Sequence, residues 1–266
     1  MRKLGLKIWS NNILYKKDVI KISSMGLCDY VEIYAIPNSF ERFSDVWLDI
    51  EIPIVIHAPH YSHGMSLSEV AKYDSNMVLL EETIKFADKY NSNFIILHPG
   101  MDGVKEECVR EINICKDKRF VLENKPFIGK NGKLCNGADI EELKYILNNT
   151  GIGFCMDFGH AVCAANGLKI DKNYYLKELL KMNPKMYHLT DGNYEDIIDV
   201  HMNYGTGSFP LENMIKMIPD GKMVTDEATK KYSDSLRDFI NDAAEFRKIE
   251  NNLFIKWGEK IWKHIY

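Results

Sequence analysis

Nine side chains in this sequence are of the kinds that hold metal ions, and they recur at similar places. His57 closes the apolar run Ile56-His57-Ala58-Pro59, His98 closes Leu97-His98-Pro99-Gly100, and Glu123 closes Leu122-Glu123-Asn124. Asp157 ends the next run, and His160 follows in Asp157-Phe158-Gly159-His160. His188 ends another in Tyr187-His188-Leu189-Thr190-Asp191, Asp199 and His201 lie in the segment after it, and Glu227 ends the last. Neutral imidazoles and carboxylates are the ligands of zinc and similar borderline divalent ions. Five imidazoles and four carboxylates exceed what one ion needs, because a catalytic zinc takes about three protein ligands plus water. A lone His or Glu at such a place is usually ordinary structure. Repetition on six consecutive runs, taking five of the eight histidines and leaving out His60, His63 and His264, is not.

The elements that must position these residues are eight short apolar runs: Leu4–Trp9, Tyr30–Tyr34, Ile54–His57, Phe94–His98, Phe120–Glu123, Gly153–Asp157, Met186–Leu189 and Met223–Glu227. They are rich in β-branched and aromatic residues and nearly unbroken, as strands buried on both faces are. Amphipathic stretches separate them. In Leu67–Tyr90, the residues Val70, Met77, Leu80, Ile84 and Ala87 fall near one helical face, and Asp139–Asn149, Tyr174–Met182 and Ser233–Arg247 read the same way. Eight strand-helix units in 266 residues predict one (β/α)₈ barrel over residues 1–250. Strand C-termini of such a barrel converge on one mouth, so ligands spread along the chain meet there. The tail 251–266 carries Phe254, Ile255, Trp257, Ile261, Trp262 and Ile265 at helical spacing. It reads as an extra helix packed on the barrel, with a partner-binding helix as the other reading.

Composition excludes several classes. The net charge of −4 gives no global field for nucleic acid, so a polyanion would have to be held locally. No stretch approaches the ~18 apolar residues of a membrane span. Met1-Arg2-Lys3 leads straight into the first strand without a signal-peptide pattern. The six cysteines (Cys28, Cys108, Cys115, Cys135, Cys155 and Cys163) form no CxxC pair and read as reduced thiols of a cytoplasmic protein.

The ordered motif set resembles the endonuclease IV family of the xylose isomerase-like barrels over nearly the whole chain. The shared motifs are His57-Ala58-Pro59, His98-Pro99-Gly100, Leu122-Glu123-Asn124, Asp157 to His160, His188 to Asp191, the run Asp199, His201, Gly205 and Gly207, and the final Glu227. The resemblance implies up to three zinc ions and cleavage of DNA 5′ to an abasic site, by metal-activated hydroxide attacking phosphorus. It also implies a ligand distribution. His57 and His98 would hold the first ion, and Glu123 would bridge it to a second on Asp157, His188 and Glu227. His160, Asp199 and His201 would hold the third. Glu123 and Glu227 would be the catalytic carboxylates, with Glu227 orienting the water or taking its proton.

The departures fall on the substrate side. Where the family inserts a tyrosine after His-Ala-Pro, this chain has His60 followed by Tyr61. Its first strand carries Lys7-Ile8-Trp9-Ser10 in place of His-Val-Ser, Ala228-Thr229 follow Glu227 in place of Thr-Pro, and Lys125–Gly137 lacks the family's run of small residues. Trp9 and Tyr34 either stack on a substrate ring or pack the barrel top. Lys125, Lys130 and Lys133 form either a solvated loop or a phosphate or sugar clamp, which makes Trp9, Tyr34, His60, Tyr61 and Lys125 the candidate substrate contacts. Sugar isomerases and epimerases of the same superfamily resemble only Glu123, Asp157, His188 and Glu227. They bind a single Mn²⁺, Mg²⁺ or Co²⁺ and move a proton next to a carbonyl. The full set of nine favours phosphodiester hydrolysis over that alternative. It also disfavours a non-catalytic binding protein, whose decayed site would show gaps.

Overall fold

In the computed structural model, which describes residues 1–265 and side chains through Asn252, eight parallel strands close on themselves in sequence order. The order of elements is β1 (Lys3–Trp9), α1 (Lys16–Ser24), β2 (Tyr30–Tyr34), α2 (Phe40–Phe43), β3 (Ile54–His57), α3 (Tyr73–Lys89), β4 (Ile95–Leu97), α4 (Lys105–Cys115) and β5 (Phe120–Glu123). The second half runs α5 (Ile140–Thr150), β6 (Gly153–Asp157), α6 (Phe158–Leu168), α7 (Lys172–Lys181), β7 (Met186–Leu189), α8 (Leu211–Met217), β8 (Met223–Asp226) and α9 (Arg237–Ile265). β1 pairs with both β2 and β8, which completes the ring. The expected strands are all present, and their ends differ by at most one residue. His98 and Glu227 each stand one position beyond the paired part of their strands.

The barrel interior explains why the strand ends carry chemistry. Tyr30, Val55, Ile96, Val121, Cys155 and Met186 form a separate buried cluster inside the ring. Two residues further along the same strands stand Glu32, His57, His98, Glu123, Asp157 and His188. Side chains of a strand alternate between faces with a period of two, so each polar residue points inward directly above an apolar one. The lower layer is a dry plug, and the upper layer is the floor of the mouth. Tyr30 spans the two, because its hydroxyl lies 2.7 Å from Thr225 Oγ1, which donates to Glu32 Oε2 at 2.7 Å.

The outer helices bury their apolar stripes on the outward face of the strands, in the main core that includes Leu80, Phe86, Ile112, Leu143, Ile146, Leu176, Leu179 and Phe239. Side-chain caps start three of them: Asp139 accepts from Glu141 N and Glu142 N, Asp157 from His160 N, and Asp171 from Tyr174 N. The helix expected over Leu67–Tyr90 begins later, at Tyr73. Val70 lies in a short 3₁₀ turn and is exposed, so its match to the helical stripe is fortuitous. The last helix runs unbroken from Arg237 to Ile265. The expected packing of Phe254, Ile255, Trp257, Ile261, Trp262 and Ile265 lies outside the described side chains. No described helix is long and apolar enough to cross a membrane.

Gly5 is required by the plug. A Cβ added there would lie 2.2 Å from Tyr30 Cζ, inside a fully buried ring. Gly5→Ala is expected to destabilise the fold by ~1–3 kcal/mol, the usual cost of overpacking. Urea unfolding measures it. A loss below about 0.5 kcal/mol, the range of an indifferent surface change, would show that the ring yields.

Candidate metal centre

All nine expected residues meet at the mouth, and their donor atoms fall into groups mutually within 4.8 Å: His57, His98 and Glu123; His160, Asp199 and His201; Glu123, His188 and Glu227; Glu123, Asp157 and His160. Glu123 is the hub. Its Oε2 lies 3.2 Å from His57 Nε2, 3.1 Å from His98 Nε2 and 3.3 Å from His188 Nδ1, and its Oε1 lies 2.8 Å from His160 Nδ1. His188 Nδ1 approaches Glu227 Oε1 to 2.6 Å, and His201 Nε2 approaches Asp199 Oδ2 to 2.6 Å.

The second nitrogen of most of these rings is already committed. His57 Nδ1 faces the Ala58 carbonyl at 2.6 Å, His160 Nδ1 the Asn124 carbonyl at 2.9 Å, and His201 Nδ1 the Glu227 carbonyl at 3.1 Å. A carbonyl only accepts, so each Nδ1 carries a proton and each Nε2 is the nitrogen turned inward. His188 has the opposite sense. Its Nε2 lies 2.9 Å from Glu32 Oε2, which leaves Nδ1 facing the centre. The inward nitrogens therefore confront carboxylate oxygens. His188 Nδ1 and Asp199 Oδ2 are buried and make no hydrogen bond of acceptable geometry despite these short approaches. Imidazoles and carboxylates that converge in this way are held together by a ring proton or by a metal ion, and these groups could hold an ion. The donor set is that of zinc and its neighbours in the first transition row.

Neighbouring residues hold these ligands in place. Asn124 donates to the Asp157 carbonyl at 2.9 Å and accepts from Asp157 N at 2.8 Å, tying the ends of β5 and β6 together. Asp191 gathers the loop after β7, with its carboxylate accepting from the backbone N–H of Gly192, Gly205, Gly207 and Phe209 at 2.8–3.0 Å. A side chain on Gly207 would collide with the Gly192 carbonyl, so the loop closes only on glycine there. Asp242 of α9 fixes the same loop by accepting from Asn203 Nδ2 at 2.7 Å and Tyr204 N at 2.8 Å. His201 sits at φ 51°, a left-handed conformation unusual for histidine. It is held there by Thr229, which donates N–H and hydroxyl to its carbonyl.

Three charged residues complete the centre beyond the nine expected ligands. Lys7 and Glu32 are register partners on β1 and β2. Lys7 Nζ lies 2.5 Å from Glu227 Oε1 and 3.3 Å from Glu32 Oε1. A lysine and a glutamate inside otherwise apolar strands are the signal the sequence offers for them. The third is Lys125, for which the sequence suggests a solvated or clamping loop. Its ammonium is instead buried, 3.2 Å from His98 Nε2, 3.3 Å from Glu123 Oε1 and 3.2 Å from His160 Nε2. Lys130 lines the cavity, while Lys133 turns outward to Asp102 at 3.2 Å.

Burial and charge pull these groups in different directions. Burial opposes the charged form of Glu123, yet Lys125, His98 and His188 hold its carboxyl well below the usual range. His188 and Lys7 do the same for Glu227 against its own burial. Burial raises Asp157 to about 6. Burial also works against the imidazolium of His201, but Asp199 outweighs it and lifts the pKa to about 9. His60 is pushed down to about 2 by burial and then by Lys125, so it is neutral.

Above the centre opens a cavity of about 480 Å³, lined in part by Trp9, Tyr34, His60, Tyr61, Lys125 and Met101. All five candidate substrate contacts reach it. Tyr34 is buried and packs the barrel top, its hydroxyl 2.7 Å from His63 Nδ1 and accepting from His60 N at 2.9 Å. Trp9 leans on Tyr34 at 5.9 Å between ring centroids and remains 46% exposed, so one face is free for a ligand. His60 stacks on His98 at 5.6 Å. All six cysteines are free thiols, and none belongs to the ligand groups.

Comparison with known proteins agrees with this fold. The family described as xylose isomerase-like TIM barrel matches residues 21–224. The chain is 28% identical to a probable endonuclease 4 of Mycoplasmopsis pulmonis (strain UAB CTIP) over 251 residues, covering 83% of this chain and 89% of that protein. It is 27% identical to a probable endonuclease 4 of Aquifex aeolicus (strain VF5) over 203 residues, 68% of this chain and 70% of the other. Among solved structures, endonuclease IV from Thermus thermophilus superposes with a TM-score of 0.69 at 18% identity, over 94% of this chain and 99% of that one. A D-tagatose 3-epimerase-like protein superposes with a TM-score of 0.68, also at 18% identity, over 96% and 99%. Likeness at that identity speaks to fold alone.

Two outcomes follow from the supports. Asp191→Ala leaves four loop N–H groups without their acceptor and should cost at least ~3 kcal/mol, since each buried donor left unsatisfied costs ~1–3. Hydrogen exchange should localise the loosening to residues 192–209, and uniform protection there would contradict the role given to Asp191. The raised His201 pKa sets a pH dependence for the chelator-treated protein. Its stabilising share is fully present below 6.5, its ordinary value, and is lost as pH rises through about 9. Denaturant unfolding across pH 6 to 9 should show this decline, and His201→Gln should flatten it.

Proposed function

The chain belongs to the xylose isomerase-like TIM barrel family, and we propose that within it this protein is a metal-dependent phosphodiester hydrolase that cuts DNA at abasic sites. The observation that carries the reading is the complete ligand set. An isomerase needs only the group around Glu123, Asp157, His188 and Glu227, whereas the groups His57-His98-Glu123 and His160-Asp199-His201 stand beside it. The relatives named probable endonuclease 4 support the same reading, since one of them aligns over 89% of its length. The inward Nε2 atoms of His57, His160 and His201, set against the carboxylates, fit zinc. His57, His98 and Glu123 would hold one ion, Glu123, Asp157, His188 and Glu227 a second, and His160, Asp199 and His201 a further one. Ions so held supply Lewis acidity and bring the pKa of bound water to about 7.

The chain's own residues do the rest. Glu227, kept anionic by His188 and Lys7, orients water at the cavity floor and takes its proton through the oxygen not held by Lys7. The Lys125 ammonium and Lys130 meet a phosphate entering the cavity. Trp9 offers a flat, half-exposed face to a base or a deoxyribose, and neutral His60, stacked on His98, takes the place of the family's inserted tyrosine.

One observation favours a second reading. The cavity of about 480 Å³ has the scale of a small-molecule pocket, which suits a monosaccharide or sugar phosphate for an isomerase or epimerase that uses one Mn²⁺ or Mg²⁺. A duplex with one abasic site, incubated with zinc-replete protein, separates the two. A single nick 5′ to the lesion is expected, abolished by chelation and restored by zinc. Glu227→Gln should lower kcat by ~10²–10⁴-fold, the usual worth of a general base. Absence of nicking together with interconversion of a ketose panel would replace the hydrolase by the isomerase.

A further inference from the structure

The centre contains two cations of its own, and their positions bear on how many metal ions it takes. Lys125 Nζ lies 3.2 Å from His98 Nε2, 3.3 Å from Glu123 Oε1 and 3.2 Å from His160 Nε2. It therefore touches two members of the first ligand group and one of the third. A neutral imidazole nitrogen has a single lone pair, and that pair either accepts from an ammonium or binds an ion. Lys125 and a metal thus compete for His98 and for His160. The lysine is not a surface residue folded in by chance. Its backbone N–H donates to the Gly137 carbonyl at 3.0 Å, and the residue is buried at the cavity floor.

Charge leads to the same place. Glu32, Glu123, Asp157, Asp199 and Glu227 bring five negative charges to the centre, and Lys7 and Lys125 bring two positive ones, a balance of −3. Two divalent ions make that +1, and three make it +3. Each positive charge already in a buried site makes a further one harder to add, so a third ion meets one more positive charge with Lys125 in place than without it. The nine ligands alone, without Glu32 or either lysine, carry −4 and would accept a third ion more readily.

We propose that Lys125 is a built-in cation that replaces one metal ion, so that the loaded protein holds two divalent ions rather than the three its ligand set otherwise accommodates. The proposal rests on the metal-dependent reading above, and its test is a count rather than a rate. Full-length protein is stripped with chelator, reloaded with excess zinc and desalted, and zinc per chain is measured by mass spectrometry. Two zinc ions are expected in the unaltered protein and in Lys125→Arg, which keeps the charge. Three are expected in Lys125→Met, which keeps the bulk and removes it. Lys125→Gln serves if the methionine variant does not fold, with circular dichroism as the check. Three ions in the unaltered protein, or the same count in the charged and neutral variants, would overturn the proposal and leave the hydrolase standing. No zinc in any variant would overturn both.

Discussion

The centre depends on one buried carboxylate with more neighbours than a single charge can satisfy. Glu123 is fully buried, and four imidazoles and an ammonium lie around its two oxygens. An isolated carboxylate in such a place would protonate rather than bear its desolvation. Glu123 stays ionised because the surrounding nitrogens converge from four different strand ends, β3, β4, β6 and β7, and only a closed barrel brings those ends together. The fold and the chemistry are thus linked through this one group. The apolar plug fixes the height at which the strands end, and the polar layer above it is aligned around the Glu123 oxygens.

A second set of contacts converts convergence into orientation. Backbone carbonyls of Ala58, Asn124 and Glu227 each take the Nδ1 proton of a histidine, and Glu32 takes the Nε2 proton of His188. The tautomers are therefore set by groups that belong to the scaffold. Asp191 and Asp242 do for the β7–β8 loop what sheet hydrogen bonds do for the strands, holding Asp199 and His201 against His160 and Glu227 at the neighbouring β6 and β8 ends. Precision at a metal centre requires this division between ligands and the residues that aim them.

The barrel and its ligands were legible because both rest on repetition. Eight buried runs with similar spacing define the strands, and a period of two places Val55 under His57, Val121 under Glu123 and Met186 under His188 without any long-range information. Lys7 and Glu32 escaped for the converse reason. Each is a single charged residue in one short strand, and only the β1–β2 register, which no local pattern reveals, makes them partners. Lys125 escaped because a lysine in a glycine-containing loop is ordinarily solvated, and its burial is decided by the fold of residues 125–137 over the mouth. Val70 fitted a helical stripe by spacing but falls in a turn before α3, since periodicity marks an element's face more reliably than its first residue.

The parts that match the endonuclease IV pattern and those that depart from it are neighbours in sequence and in space, and they differ in depth. The matching residues form the floor, where imidazoles and carboxylates are interlocked through Glu123, so that altering one disturbs several. The departures Trp9, His60 and Tyr61 line the wall of the cavity, and Lys125 reaches from the wall to the floor. Lys7 bridges the two, pairing with Glu227 below while it faces the cavity above. A floor under such mutual constraint can persist while the wall adapts to a new ligand. The two unexpected lysines, Lys7 and Lys125, stand where floor and cavity meet.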